Sequence, residues 1–190
     1  MDKSYGYVQQ SPQRENTFSR KFLFVAAGGV LALILGTVLL MSSGQNPTGK
    51  QVQALIIRLE TLQTMLSDTK TTRNLKDQKL SDISTSLSLT VTSDINELTT
   101  ALAADYPEKI DQAVVANETD TTTATALEEA YLENELDIVY RDILMKKIIS
   151  LRALMSEIYG LTKSESLRTT LANIDKHFSE ANDQLESIDP

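Results

Sequence analysis

The chain has 190 residues, 41% of them hydrophobic, with 18 basic and 26 acidic side chains and a formal charge of −8. That length leaves room for one modest domain with accessories, and the absence of cysteine excludes disulfides, thiolate catalysis and thiolate metal sites. Four of the 18 basic and two of the 26 acidic residues precede Met41, so the remainder carries 14 basic against 24 acidic residues, a balance that repels phosphate backbones and excludes nucleic acid as an expected partner.

The first stretch, "MDKSYGYVQQSPQRENTFSRK", is polar and shows no apolar period. It holds too little apolar surface to offset the entropy of ordering, so residues 1–21 read as a disordered tail. Phe22–Met41 then runs for twenty residues without a charge, an amide or a proline. At about 1.5 Å per residue it matches the roughly 30 Å hydrocarbon core of a bilayer, which predicts a transmembrane helix with lipid as its partner. A cleaved signal peptide is the rival reading, since Ser42, Ser43 and Gly44 are small, but such apolar regions usually run ~7–15 residues. Arg14, Arg20 and Lys21 lie before the segment, and Lys50 is the first basic residue after it. Basic flanks stay inside, so the tail is expected in the cytoplasm and the rest outside it, as a single-pass signal-anchor protein of the cell membrane. Gly28, Ala32 and Gly36 share one helical face. That spacing lets membrane helices approach closely, although small residues are common in any membrane helix.

"SSGQNPTGK" (42–50) concentrates Gly, Asn and Pro and reads as a flexible spacer, with a helical-bundle domain over 51–190. No Gly or Pro interrupts Lys50–Tyr106, which favours helix. Val52, Leu55, Ile56, Leu59, Leu62 and Leu66 form a first apolar stripe, which lapses through Ser67–Asn74 into a turn or a polar bridge. A second stripe runs Leu80, Ile83, Leu87, Val91, Ile95, Leu98, Leu102. Within it "LSLTVT" (Leu87–Thr92) also alternates with period two, as a half-buried strand would. A lone strand has no partner here, so helix is expected, with strand left open as the alternative.

Pro107 and Glu108 suit the start of a short helix, and "ETDTTTAT" (Glu118–Thr125) reads as a connector. Thr125 and Glu128 have capping-box spacing, and no breaker follows until Tyr159. A single helix of about 50 Å is therefore expected over 125–159. Leu127, Tyr131, Leu132, Leu136, Val139, Ile143, Leu144, Ile148, Leu151, Met155 and Ile158 form its apolar face, and Gly160 would close it as a left-handed C′ residue. Thr162 and Glu165 form a second capping box. In the last helix Leu167, Leu171, Ile174, Phe178, Ala181, Leu185 and Ile188 alternate by four and three, a coiled-coil-like seam. The expected fold is all-α: a single N-terminal transmembrane helix followed by an elongated antiparallel three- or four-helix bundle.

Chemistry is sparse. Glu129, Glu133 and Asp137 line one face at i+4 spacing, but no histidine follows as in di-metal carboxylate bundles. Arg141 follows Asp137, and Lys146 follows Asp142, as on a solvated ion-paired face. His177 borders the last seam, with Glu180 one turn on, and a general base needs convergent partners that one helix cannot display. Asn117-Glu-Thr119 is an N-glycosylation triplet of the kind that also arises by chance. Met145, Met155, Tyr131, Tyr140 and Tyr159 read as packing residues of the core or of a partner interface. No phosphate loop, nucleophile elbow or metalloprotease helix occurs. No catalytic residue, cofactor or metal is assigned. The reading is a non-enzymatic envelope scaffold or adaptor with an unidentified protein partner. The alternatives are a ligand-binding or sensory bundle and a self-assembling surface protein that forms homo-oligomers.

Overall fold

The computed structural model of this protein describes residues 47–105 and 111–188. Seven helical segments and no strand occur among them: α1 (Pro47–Ser67), the single turn α2 (Thr69–Thr72), α3 (Gln78–Asp105), α4 (Gln112–Glu118), α5 (Thr123–Glu133), α6 (Leu136–Leu161) and α7 (Glu165–Glu186). Four long helices close a ring in which α1 packs on α3, α3 on α7, α7 on α6 and α6 on α1. Side-chain bonds give the directions. Gln51 meets Glu157 and Arg58 meets Ser150, so α1 and α6 are antiparallel. Lys79 meets Ser187, and Asp94 meets His177, so α3 and α7 are antiparallel as well. Short links, residues 68–77 with the turn α2 and residues 162–164, make α1–α3 and α6–α7 antiparallel too, which leaves α3 and α6 parallel across the diagonal. A parallel step needs a long return, and the described part of it is residues 111–135, as in bundles with one crossover.

The described part of the crossover runs up the α1–α6 side. α4 lies against α1, and α5 lies against α6. This explains why α1 is buried on nearly every side. Leu55, Leu59 and Leu62 face the bundle centre with no exposed surface, while Ala54 and Ile57, also buried, lie on other faces of the helix. The start at Pro47, inside the stretch expected as spacer, suits a residue whose missing N–H costs nothing in a helix's first turn.

The anchored architecture is corrected here. Among the described residues no helix is long and apolar enough to cross a membrane. Even α1, the most enclosed helix, carries Lys50, Arg58 and Glu60. Phe22–Met41, with Gly28, Ala32 and Gly36, lies outside the described residues, as do the tail 1–21 and the spacer up to Asn46. The fold the structure supports is an all-α bundle with no spanning helix among the described residues, and the bilayer partner, the single-pass signal anchor and the extracytoplasmic placement are not supported by it.

Leu87–Thr92 is helical, within α3. Helix geometry buries Leu87 and Val91, four apart, and leaves Leu89 72% exposed, whereas a strand would put all three on one face. The intervening hydroxyls are satisfied locally: Thr90 donates to the Ser86 carbonyl and Thr92 to that of Ser88. The single helix expected over 125–159 is corrected to two. Asn134 takes a left-handed conformation (φ 65°), the Glu135 N–H donates back to the Ala130 carbonyl at 2.8 Å, and α6 starts afresh at Leu136. Asn is the side chain after Gly best suited to that conformation. The turn moves Tyr131 and Leu132 off the core, 50% and 78% exposed.

Three caps differ from the expected ones. Gly160 has no positive φ and sits inside α6, which ends one residue later with Thr162 extended. Ser164 rather than Thr162 caps α7, its hydroxyl accepting from the Leu167 N–H. Asp120 rather than Thr125 receives N–H groups at the start of α5, those of Thr122 just before it and of Thr123, its first residue. Leu167, Leu171, Ile174, Phe178, Ala181, Leu185 and Ile188 are all buried, against helices of the same chain. The bundle closes within one chain.

Candidate functional site

His177 is the first residue to place, because the structure gives it the partner that one helix could not. Its Nδ1 lies 2.9 Å from Oδ1 of Asp94 on α3. The imidazole is 39% exposed and the Asp94 side chain 1%. Burial pushes the Asp94 carboxyl up, opposed by the charge and hydrogen bond of His177, and Glu97 adds repulsion. Asp94 Oδ2 has no hydrogen-bond partner. Glu180 is directed elsewhere, toward Lys176 at 3.9 Å. Among the described residues no hydrogen bond joins the pair to a nucleophile or a third group, so its geometry couples two helices. Asp94 was legible as an anomaly, a carboxylate three residues after Val91 and four before Leu98 on the second apolar stripe.

The acidic trio does not assemble. Glu129 and Glu133 belong to α5 and Asp137 to α6, with the Asn134 turn between them. Asp137 instead accepts the N–H groups of Lys76 and Asp77 at 3.1 and 2.8 Å, tying the loop before α3 to the first turn of α6. Among the described residues no group of three His, Cys, Asp or Glu is arranged to hold a metal ion. The i+4 pairing of Arg141 is corrected too, since the guanidinium meets Asp142 and the Ile188 carbonyl. Of the tyrosines, Tyr140 is fully buried with its hydroxyl bonded to Ser84, and Tyr159 lies under the guanidinium of Arg168. Asn117 is exposed on α4.

A charge-lined surface cleft was not anticipated. Where the crossover passes from α1 to α6, a cleft of about 250 Å³ opens between Arg58 and Thr61 of α1, Glu118 at the end of α4, Asp120 of the connector, and Lys146, Lys147 and Ser150 of α6. A second hollow of about 230 Å³ adjoins it, and Arg58 and Glu118 line both. Arg58 grips Glu118 through two nitrogens, Nε to Oε2 at 2.6 Å and Nη2 to Oε1 at 3.3 Å, and donates a further bond to Ser150 Oγ at 3.0 Å. Lys147 donates to Asp120. Burial alone would raise the Asp120 carboxyl, but the bonds from Lys147 and from the Thr122 and Thr123 groups outweigh it and hold it well below the usual carboxylate range.

At its lower end the crossover is pinned by Lys50 to Asp111 at 3.5 Å and by Gln53, whose Oε1 accepts the Asp111 N–H at 2.8 Å. α4 itself contributes no buried residue. Val114 of α4 packs partly buried against the core, and the pairs Arg58–Glu118 and Lys147–Asp120 that also hold this segment line the cleft. Sequence reasoning took Glu118–Thr125 for a plain connector. The available signal was Asp120 three residues ahead of a helix start, an acidic residue suited to turn hydrogen bonds, but nothing in the sequence directs it toward Lys147.

No protein-family model, no curated protein and no solved structure matches this chain.

Proposed function

We propose that this domain is a non-enzymatic ligand-binding bundle that senses a compact charged molecule in the cleft between α1, the crossover and α6. The observation that carries the reading is the charge-pinned crossover, whose pins form the cleft walls. A ligand bearing both a carboxylate and an ammonium group, such as a free amino acid, fits this lining of three cations and two carboxylates. Its carboxylate would compete for Arg58, Lys146 and Lys147, and its ammonium for Glu118 and Asp120. Because α4 buries no side chain, exchanging internal pairs for ligand pairs would loosen or re-seat the crossover at small cost, which is what a sensor requires. The non-catalytic part of the reading rests on Arg58, Glu118, Lys147 and Asp120 being committed to pairs, with no nucleophile beside a base.

A thermal-shift screen of free amino acids, followed by amide chemical-shift mapping, tests the proposal. A binder is expected to raise the melting temperature, to perturb the Thr61 and Ser150 amides, and to lose its effect in Lys147→Met. A screen without a binder, or a binder indifferent to both Arg58→Met and Lys147→Met, overturns it.

A further inference from the structure

On the opposite side of the bundle from the crossover, α3 and α7 meet along a seam whose buried members include one carboxylate. Asp94 is fully enclosed, and its single hydrogen bond runs across the seam to His177 Nδ1 at 2.9 Å while Oδ2 stays unpartnered. A buried carboxylate with one bond is costly unless a positive charge faces it. The imidazole can supply that charge, and its side chain is 39% exposed, so protons can reach it from solvent. We propose that Asp94 and His177 form a proton-controlled latch between α3 and α7, tight while the imidazole carries its proton and loosened when the proton leaves.

The neighbouring charges do not provide another route to neutrality. On α3, Glu97 repels Asp94. On α7, Lys176 is engaged with Glu180, and Asp175 turns to Arg152 of α6, with Nε to Oδ1 at 2.8 Å. On α1, which packs against the other flank of α3, the buried Glu60 lies one turn before Gln63, the residue that bonds Ser88. Burial raises the carboxyl of Glu60 as it does that of Asp94. The sign follows for both: a carboxyl raised in the folded state adds stability that is complete below the unfolded value and is lost as pH rises through the folded one. Because Glu60 acts in the same sense, the latch is isolated by comparing variants rather than by the overall slope.

The test is the urea midpoint of the full chain measured from pH 5 to pH 8 for wild type, Asp94→Asn and His177→Gln. Wild type is expected to lose stability across that range, by about tenfold in the unfolding equilibrium constant. Asp94→Asn removes the buried charge and is expected to flatten most of that fall. His177→Gln, at a partly exposed site, removes the imidazole whose proton tightens the latch and is expected to flatten it too. An Asp94→Asn profile parallel to wild type overturns the latch. A His177→Gln profile parallel to wild type overturns it as well, and that readout stands even where Asp94→Asn fails to fold.

Discussion

Replacing Asp120 by Ala removes the group on which the crossover converges. Its Oδ1 accepts the N–H of Thr122 at 2.9 Å and that of Thr123 at 3.0 Å, and its Oδ2 receives the Thr123 hydroxyl and Lys147 Nζ. Loss of the hydrogen bonds to these two backbone N–H groups costs about 1 kcal/mol. A hydrogen bond to a charged partner is worth about 1.5–3 kcal/mol when well enclosed, and both partners here keep only 16–20% of their side-chain surface. The two contributions share one carboxylate and are not additive, so a loss of about 2 kcal/mol is expected. For a domain of this size that is a fall of roughly 4–8 °C in Tm. The assay is urea unfolding followed by circular dichroism at pH 7, with hydrogen exchange to locate the weakening. Amides of α4 and α5 should exchange faster well before those of α3 or α7, because the crossover can open without the ring. The pH dependence carries an independent sign. Asp120 is held below its ordinary value, so its contribution is present above about pH 4 and is lost as pH falls through the folded value. Wild type and Asp120→Ala should therefore converge in acid. A difference under 0.5 kcal/mol at pH 7, or one that stays constant into acid, refutes the reasoning.

Other substitutions test the fold. Tyr140→Phe leaves the buried Ser84 hydroxyl without its partner and should cost about 1–2 kcal/mol in chemical denaturation, whereas adding Ser84→Ala should recover much of it. Leu87→Ala should cost about 2–4 kcal/mol by the same measurement. Leu89→Gln, at an exposed site, should stay within about 0.5 kcal/mol; equal losses at the two positions would contradict the helical phase of α3. At the α5–α6 turn, Asn134→Gly should be tolerated and Asn134→Ala should lose about 1 kcal/mol, read from the melting temperatures of the pair.

Helical periodicity was written plainly into the stripes of α1, α3 and α7. Every residue of Leu80, Ile83, Leu87, Val91, Ile95, Leu98 and Leu102 is buried, as is every member of the α7 seam. Such stripes are properties of neighbours three and four apart, so a linear reading suffices to find them. The Asn134 turn escaped notice because asparagine is also an ordinary helical residue, and only its backbone conformation separates the two uses. The membrane reading rested on Phe22–Met41, which lies outside the described residues, and no described helix takes its place.

Pairings across the bundle are of another kind. Arg58 with Glu118 lies 60 positions apart, Asp94 with His177 83, and Lys147 with Asp120 27. No local rule selects among the many charges that could meet at those separations. Which ones do meet depends on the order of helices around the ring and on the path of the return from α3 to α6. Local preference shaped each helix, and long-range packing chose the partners that make a cleft and a seam from them.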